Sequence, residues 1–359
     1  MKLIIQPGDG VDRLVKGIRK AKKSIEIMIF RLDRDEIERA LIDAVERGLF
    51  VHALIAFTNR GGEGKLRKLE RQFLASGVTV ARTAGDLVRY HGKMMIVDRK
   101  ELYVLGFNFT RLDIDRTRSF GIVTRNPKLV AEAVRLFEAD TKRQEYSPTQ
   151  RNFVVSPANA RRELARFIKG AEKELLIYDP NLSDKAMLRL LEERRRMGVD
   201  IRALGAVSEN RLPSAELKRM RLHTRTIIRD RSQAFIGSQS LRQLELDARR
   251  EIGVIFRDAS ILKDLCRVFE EDWLASAPEE RQETNDEAPP KKAVKKLARK
   301  VVKQISVAPV AKRMAKVISK KANGDLDKKH IRQTVKQLVE DVAKEAAERA
   351  AVEGAKTVA

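Results

Sequence analysis

Two of the four histidines stand in segments with the same spacing, in which a basic residue follows two positions later and an aspartate seven positions later. The segments are His91-Gly-Lys93-Met-Met-Ile-Val-Asp98 and His223-Thr-Arg225-Thr-Ile-Ile-Arg-Asp230. Both are strand-like, and side chains two residues apart on a strand share a face. We therefore expect each imidazole to point the same way as the cation that follows it. A single H-x-K is commonplace, but its recurrence in both halves of the chain indicates a site.

A tight return and a second strand are predicted after each segment, and they bring Asn108 and Ser240 back toward the histidines. An imidazole, a fixed cation and a small polar donor then converge, twice over. Two facing imidazoles can divide the work on a phosphodiester, since one attacks phosphorus and the other protonates the leaving oxygen. The cations and donors would stabilise the charge that develops on the other oxygens. This chemistry requires no metal, the chain lacks Cys- or Asp-rich ligand spacing, and we predict no cofactor.

The elements around these segments also repeat. Residues 14–30 and 164–178 each read as an amphipathic helix followed by a short apolar strand. Each continues into a second helix, which Gly48 or Gly198 is expected to end, and then into another strand. Helices alternating with buried strands predict an α/β fold. We interpret the chain as an internal duplication with repeats at 1–147 and 148–275.

The character of the chain changes after the second repeat. Residues 276–290 are acidic and contain proline, which is typical of a linker, and residues 291–359 read as a basic helical tail. The segment 291–321 has twelve basic residues and no acidic one. The net charge of +23 divides into +15 for the repeats and +8 for residues 276–359, the linker and the tail together. Such charge indicates an anionic partner, either nucleic acid, acidic lipid or a phosphorylated molecule.

Other features narrow the class of protein. The single Cys266 excludes a disulfide scaffold. No apolar stretch approaches the roughly 18 residues of a membrane span, and the N-terminus does not read as a secretory signal. We expect a cytoplasmic protein, and leave open a peripheral contact of 291–321 with an anionic membrane surface.

The paired segments resemble the HxKxxxxD motifs of the phospholipase D superfamily, in its cardiolipin-synthase-like branch, and the resemblance covers residues 1–275. It implies two α-β-α repeats packed as a pseudo-dimer around one active site, and metal-independent catalysis through a phosphohistidine. By analogy His91 is the nucleophile and His223 the general acid and base, although the sequence does not fix that order.

The resemblance also implies roles for the remaining site residues. Lys93 and Arg225 would grip the phosphate, helped by three small polar side chains, which are Asn108, Ser238 and Ser240. Glu251 matches an acidic position that orients a histidine in this family. Asp98 and Asp230 belong to the catalytic motifs, but their strand parity turns them away from the phosphate, so we expect supporting roles.

The chain departs from the family pattern at four places, and the second motif is the more degenerate. Leu105-Gly106 replaces Gly-Ser, and Ser119 stands at the first-repeat equivalent of Glu251, which predicts that His91 lacks a carboxylate partner. Arg225 replaces Lys, and Ser240 replaces Asn. Losing one preorganised donor typically costs about 10²–10³ in rate.

The sequence leaves three functions to be tested. The leading hypothesis is a phosphodiesterase or phosphatidyltransferase acting on phospholipid headgroups. A nucleic-acid phosphodiesterase is the alternative, supported by the charge of +15 on the repeats. The third is a catalytically degenerate protein that binds phosphate or an anionic surface. The residues favour activity over degeneracy.

Overall fold

The computed structural model describes residues 1–57, 62–208 and 212–276. The predicted linker, apart from its first residue, and the whole of the predicted basic tail lie outside these residues. No helix within the described ranges is long and apolar enough to cross a membrane.

The described part of the first repeat supplies eight strands and five helices. The strands are β1 (Lys2–Gln6), β2 (Ser24–Ile29), β3 (Phe50–Ile55), β4 (Thr79–Arg82), β5 (Arg89–Tyr90), β6 (Met94–Val97), β7 (Glu101–Leu105) and β8 (Thr117–Thr124). The helices are α1 (Asp12–Lys20), α2 (Asp35–Glu46), α3 (Glu63–Ala75), α4 (Arg111–Asp115) and α5 (Pro127–Lys142).

The second repeat supplies nine strands and four helices among the described residues. The strands are β9 (Phe153–Val155), β10 (Glu174–Leu182), β11 (Asp200–Val207), β12 (Ser214–Ala215), β13 (Arg221–Leu222), β14 (Arg225–Arg229), β15 (Gln233–Gly237), β16 (Arg249–Arg250) and β17 (Ile252–Phe256). The helices are α6 (Ala160–Lys169), α7 (Lys185–Arg196), α8 (Gln243–Asp247) and α9 (Ala259–Ser276).

The second helix of each repeat ends as the sequence predicts. Helix α2 buries Ile37 and Leu41 on one face, and helix α7 buries Leu188 and Leu191. The glycines that follow them, residues 48 and 198, have φ of +84° and +92°. Because side chains with a Cβ disfavour this left-handed backbone, glycine ends both helices.

The two main sheets have the same strand order. The first runs β1-β8-β7-β6-β2-β3-β4 and the second runs β9-β17-β15-β14-β10-β11-β12. In each, an antiparallel hairpin (β6–β7 or β14–β15) lies beside a parallel pair (β2–β3 or β10–β11). The predicted α/β class with two similar repeats is confirmed.

Short strands tie the repeats together by parallel pairing. Strand β5 of the first repeat pairs with β16 of the second, with Arg89 opposite Arg249. Strand β13 of the second repeat pairs with the start of β8, with Arg221 opposite Thr117. The two crossings are equivalent, since each pairs the two residues before a histidine with the two residues before position 119 or 251.

The apolar core is divided in the same symmetrical way. One cluster packs strands of both sheets against α5 and α9, and it includes Phe120, Phe137, Tyr178 and Phe269. Separate outer clusters lie under α1, α2 and α3 in the first repeat and under α6 and α7 in the second. The repeats therefore share a central core, which holds their facing edges in fixed positions.

Candidate functional site

The two histidines meet in a cleft of about 470 Å³ that both repeats line. Its walls include four residues that the sequence singled out, namely His91, Asn108, His223 and Arg225. Lys93, Ser238, Ser240 and Glu251 are almost fully buried and do not line the cleft. The predicted site therefore has a surface layer, with a supporting layer beneath it.

Backbone bonds across the repeats hold both histidines in place. The His91 N–H donates to the Arg250 carbonyl over 2.7 Å, and the His223 N–H donates to the Arg118 carbonyl over 3.1 Å. Each histidine thus belongs by sequence to one repeat and is held by a strand of the other.

His91 is held by a carboxylate, a cation and an aromatic ring. Its Nδ1 lies 2.9 Å from Glu251 Oε2, so that the Nδ1–H donates to Glu251 and Nε2 is left as the basic nitrogen. The Lys93 ammonium lies 2.9 Å from both ring nitrogens. Phe30 packs edge-on, with a ring-centroid distance of 4.5 Å. The imidazole is fixed in orientation and tautomer.

Burial sets the ionisation of this group. It lowers the pKa of His91 well below its ordinary range, and Lys93 and Arg225 lower it further. Burial also lowers the pKa of Lys93 to about 7, although Glu251 acts in the opposite direction. The pKa of Glu251 is raised by burial. At neutral pH His91 is uncharged, which is the form that a nucleophile requires.

His223 has different partners. Its Nδ1 lies 3.0 Å from the Gly106 carbonyl, so that this nitrogen carries a proton and donates it. Its Nε2 lies 3.7 Å from Asp113 Oδ2, an ion-pair distance once the ring is protonated. Burial, and then Arg225, hold the pKa of His223 well below its ordinary range, and Asp113 acts in the opposite direction without reversing the shift.

The remaining predicted donors are engaged with protein groups. Arg225 donates through Nε to Ser240 Oγ over 3.1 Å and through Nη1 to the His223 carbonyl over 2.6 Å. The Asn108 amide donates to Asp113 over 2.6 Å. Ser238 Oγ accepts from the Ile252 N–H over 3.1 Å. Ser238 therefore braces a strand rather than facing the cleft.

The glycine that replaces serine in the first motif has its own structural reason. A Cβ at Gly106 would lie 2.9 Å from the Phe120 carbonyl, closer than real Cβ contacts allow. Since the equivalent Ser238 hydroxyl bonds to backbone, the absence of a hydroxyl at position 106 does not remove a donor that faces the cleft.

The structure does not bring Asp98 and Asp230 to the histidines. Each stands seven residues beyond its histidine, roughly 20 Å along an extended strand. Asp98 accepts from the backbone N–H groups of residues 22–24 at 2.6–3.1 Å, and Asp230 accepts from those of residues 172–174 at 2.7–3.2 Å. Burial raises the pKa of Asp98, but the three N–H donors outweigh it and lower the pKa overall. Both aspartates hold helix-to-strand turns, and the supporting roles expected from their strand parity stay a prediction.

The prediction that His91 lacks a carboxylate partner is wrong. Glu251, from the second repeat, contacts His91 of the first. Ser119, which lacks the carboxylate, stands at the equivalent position beside His223, and its Oγ is buried without a hydrogen-bond partner. The prediction paired each histidine with its own repeat, whereas the cross-repeat strands exchange the partners.

Sequence reasoning missed two carboxylates. Asp113 and Glu245 stand five residues after Asn108 and Ser240, respectively, and both are nearly fully buried. Asp113 accepts from Arg221, and Glu245 accepts from Arg249. Their recurrence at one spacing was a readable signal. Within the described ranges, no group of three or more His, Cys, Asp or Glu side chains is arranged to hold a metal ion.

Comparison with known proteins agrees with this geometry. Residues 14–141 match the family model described as cardiolipin synthase, PLD-like domain. Over 135 residues the chain is 28% identical to the mitochondrial cardiolipin hydrolase of Danio rerio, which covers 35% of this chain and 56% of that protein. The chain thus spans little more than half the length of this relative.

Two solved structures share the fold over most of the chain. Polyphosphate kinase from Porphyromonas gingivalis superposes with a TM-score of 0.64 and 17% identity, over 76% of this chain and 50% of that one. Phosphatidylserine synthase from Haemophilus influenzae Rd KW20 gives 0.57 and 13%, over 83% and 93%. Residues 14–141, most of the first repeat, thus match a PLD-like domain, and the two solved structures show that the fold is shared over most of the chain.

Proposed function

We propose that this chain is a phosphodiesterase or phosphatidyltransferase that acts through a phosphohistidine on His91, with His223 as general acid and base. The observation that carries the proposal is the contact between Glu251 and His91 beside a cleft that His223 also lines. One imidazole is thereby prepared as a neutral base, and the other faces it across the space for a substrate.

In the first step, His91 Nε2 attacks phosphorus and a P–N bond forms as the bond to the leaving oxygen breaks. His223 Nε2–H gives its proton to that oxygen, so that the leaving group departs as a neutral alcohol. Lys93 is buried beneath His91, and a phosphate that reaches past the ring offers its ammonium a new acceptor, which frees the lone pair of His91 that Lys93 contacts.

In the second step, neutral His223 takes a proton from water or an alcohol, whose oxygen attacks phosphorus. The P–N bond breaks and its electron pair returns to His91. Lys93 and Arg225 lie beside the two histidines and stabilise the charge on the phosphoryl oxygens in both steps. Water as acceptor makes the protein a hydrolase, and an alcohol makes it a transferase.

Phospholipid headgroups are the favoured substrate. Residues 14–141 match a cardiolipin synthase, PLD-like domain, and the relative from Danio rerio is a mitochondrial cardiolipin hydrolase. The cleft has apolar as well as charged walls, including Phe30, Leu32 and Leu112, of which Leu112 is half exposed. Such walls accept an acyl or glycerol portion beside the phosphate.

A nucleic-acid phosphodiesterase is the second candidate, because the cleft also carries five basic side chains beyond the paired motifs. They are Arg31, Lys65, Arg89, Arg221 and Arg249. Several cations around one cleft suit a substrate with successive phosphates, and its binding would weaken steeply with added salt.

The test uses methyl 4-nitrophenyl phosphate in the presence of EDTA, with the wild type, His91→Ala and His223→Ala. His52→Gln is the matched control, since His52 lies in β3 and packs against Phe50 and Phe137 rather than in the cleft. We expect turnover by the wild type and the control, and a loss of at least about 10³-fold in both site variants. Equal rates in all four proteins would refute the proposal and favour a phosphate-binding role.

Two substrates are then compared at matched ionic strength. One is cardiolipin in liposomes, and the other is single-stranded DNA. Cleavage of the lipid alone supports the favoured substrate, and salt-sensitive cleavage of DNA alone supports the second candidate.

A further inference from the structure

Asp113 is buried against the second histidine. It is 3% exposed, and its Oδ2 lies 3.7 Å from His223 Nε2. The same oxygen accepts from the Asn108 N–H over 3.0 Å and from its amide over 2.6 Å, while Oδ1 accepts from Arg221 over 2.8 Å. The carboxylate is therefore anchored on one side and faces an imidazole on the other.

The other ring nitrogen of His223 is already committed. Nδ1 donates to the Gly106 carbonyl, so a second proton must reside on Nε2 and makes the ring a cation. Arg225, Lys93 and His91 face this ring and disfavour that cation. Among the described groups whose charge acts strongly on His223, Asp113 favours the protonated ring. Arg221 is the ion-pair partner of Asp113.

The carboxylate that supports His91 has no equivalent for His223. Position 119 corresponds to Glu251 and carries a serine, whose hydroxyl has no partner. His223 therefore lacks the kind of Nδ1 acceptor that His91 has, and its charged form depends on a group at the opposite nitrogen.

We infer that Asp113 is a positioning residue for His223, in that its carboxylate stabilises the Nε2–H imidazolium that protonates the leaving oxygen. The proton passes from Nε2 to that oxygen as the P–O bond breaks, and Asp113 stays ionised throughout. This inference rests on the proposed function and deepens it by naming the group that makes His223 an acid.

A merely structural role for Asp113 is the competing explanation. Its bond to the Asn108 N–H closes the turn before α4, and Glu245 makes the equivalent bond to the Ser240 N–H over 2.8 Å. Glu245 acts on His91 and lies 3.9 Å from Arg225, on the side of the nucleophile. Glu245→Gln is therefore a matched control, because it alters the equivalent turn of the second repeat without removing a charge from His223 Nε2.

The experiment compares kcat/KM for methyl 4-nitrophenyl phosphate and methyl phenyl phosphate in the wild type, Asp113→Asn and Glu245→Gln. The phenol is the poorer leaving group and depends more on general acid catalysis. We expect Asp113→Asn to lose at least about tenfold more rate on the phenyl ester than on the nitrophenyl ester, and Glu245→Gln to lose the same factor on both. An unchanged ratio in Asp113→Asn overturns the inference.

A second readout does not depend on turnover. Nitrogen-15 NMR of labelled histidines, with saturating dimethyl phosphate, follows the His223 pKa. We expect the pKa to fall by at least about half a unit in Asp113→Asn and to rise in Arg221→Gln, which leaves the carboxylate less neutralised. No shift in either variant overturns the inference. If the wild type cleaves neither ester while both shifts occur, the proposed function fails and the electrostatic role of Asp113 stands.

Discussion

The two repeats have the same sheet and the same hairpin, but they surround their histidines differently. His91 donates to Glu251, and fully buried Lys93 contacts its ring. His223 donates to a carbonyl and faces Asp113 through its other nitrogen. A carboxylate at Nδ1 prepares a neutral base, whereas a carboxylate near Nε2 favours a protonated acid. This difference underlies the roles that we propose for the two histidines.

The largest difference between the repeats is expected when the carboxylate that contacts His91 is removed. Glu251→Gln weakens the acceptor of the His91 Nδ1–H, and we expect kcat/KM for a phosphodiester to fall by about 10²-fold or more. Ser119→Ala, the equivalent position in the other half, is expected to stay within about twofold, because its hydroxyl has no partner. Equal effects in the two variants would contradict the assignment.

The cations of the two halves differ in their response to pH. Burial lowers the pKa of Lys93 to about 7, so this cation is present below pH 7 and is lost as the pH rises, whereas a guanidinium stays charged. We expect the affinity for dimethyl phosphate, which does not itself titrate in this range, to fall by up to about tenfold per pH unit above 7. Calorimetry between pH 6 and 9 measures it.

Lys93→Arg gives the first half the cation of the second and is the control for this effect. Its affinity should be flat over the same range. A wild-type affinity that does not change between pH 6 and 9 would contradict a Lys93 pKa near 7.

Two buried ion pairs cross between the repeats and also differ. Asp272 accepts from Arg118 at 2.7 and 2.9 Å and from the Tyr178 hydroxyl at 2.7 Å. Its equivalent Asp140 has a single contact with Arg250, at 3.1 Å, and burial raises its pKa to about 6. We expect Asp272→Asn to cost about 3 kcal/mol of unfolding free energy and Asp140→Asn about 1 kcal/mol, measured in urea.

The Asp140 pair also gives a pH dependence. A raised pKa of Asp140 means that the folded protein binds more protons than the unfolded chain. The free energy of unfolding therefore falls as the pH rises from about 4 to about 6. Asp140→Asn should remove that slope. Equal losses in Asp140→Asn and Asp272→Asn would show that the extra donors to Asp272 contribute nothing.

The smallest effects are expected where the repeats agree. Asp98 and Asp230 each accept from three successive backbone N–H groups. Either change to Asn should cost about 1 kcal/mol of stability, as for a lost helix cap, and leave kcat within about twofold. A large loss of kcat in a folded variant would show that these aspartates act in the reaction itself.

Local patterns made much of this architecture predictable. The alternation of helices and strands predicts the α/β class, and the strand parity of His91 and Lys93 puts them together as found. The exchange of partners was not predictable, because it depends on β5 and β13 pairing with the other repeat. Burial of Lys93 beneath His91 and the approach of Asp113 to His223 also arise only when the repeats pack.

Trapping the covalent intermediate tests the division of roles most directly. His223→Ala is mixed with methyl 4-nitrophenyl phosphate, whose leaving group needs little acid assistance, and the quenched protein is digested for mass spectrometry. We predict a methylphosphoryl group on His91, which accumulates because no base remains to activate water. The same experiment on His91→Ala should give no adduct. An adduct on His223 in His91→Ala, with none on His91 in His223→Ala, would contradict the account.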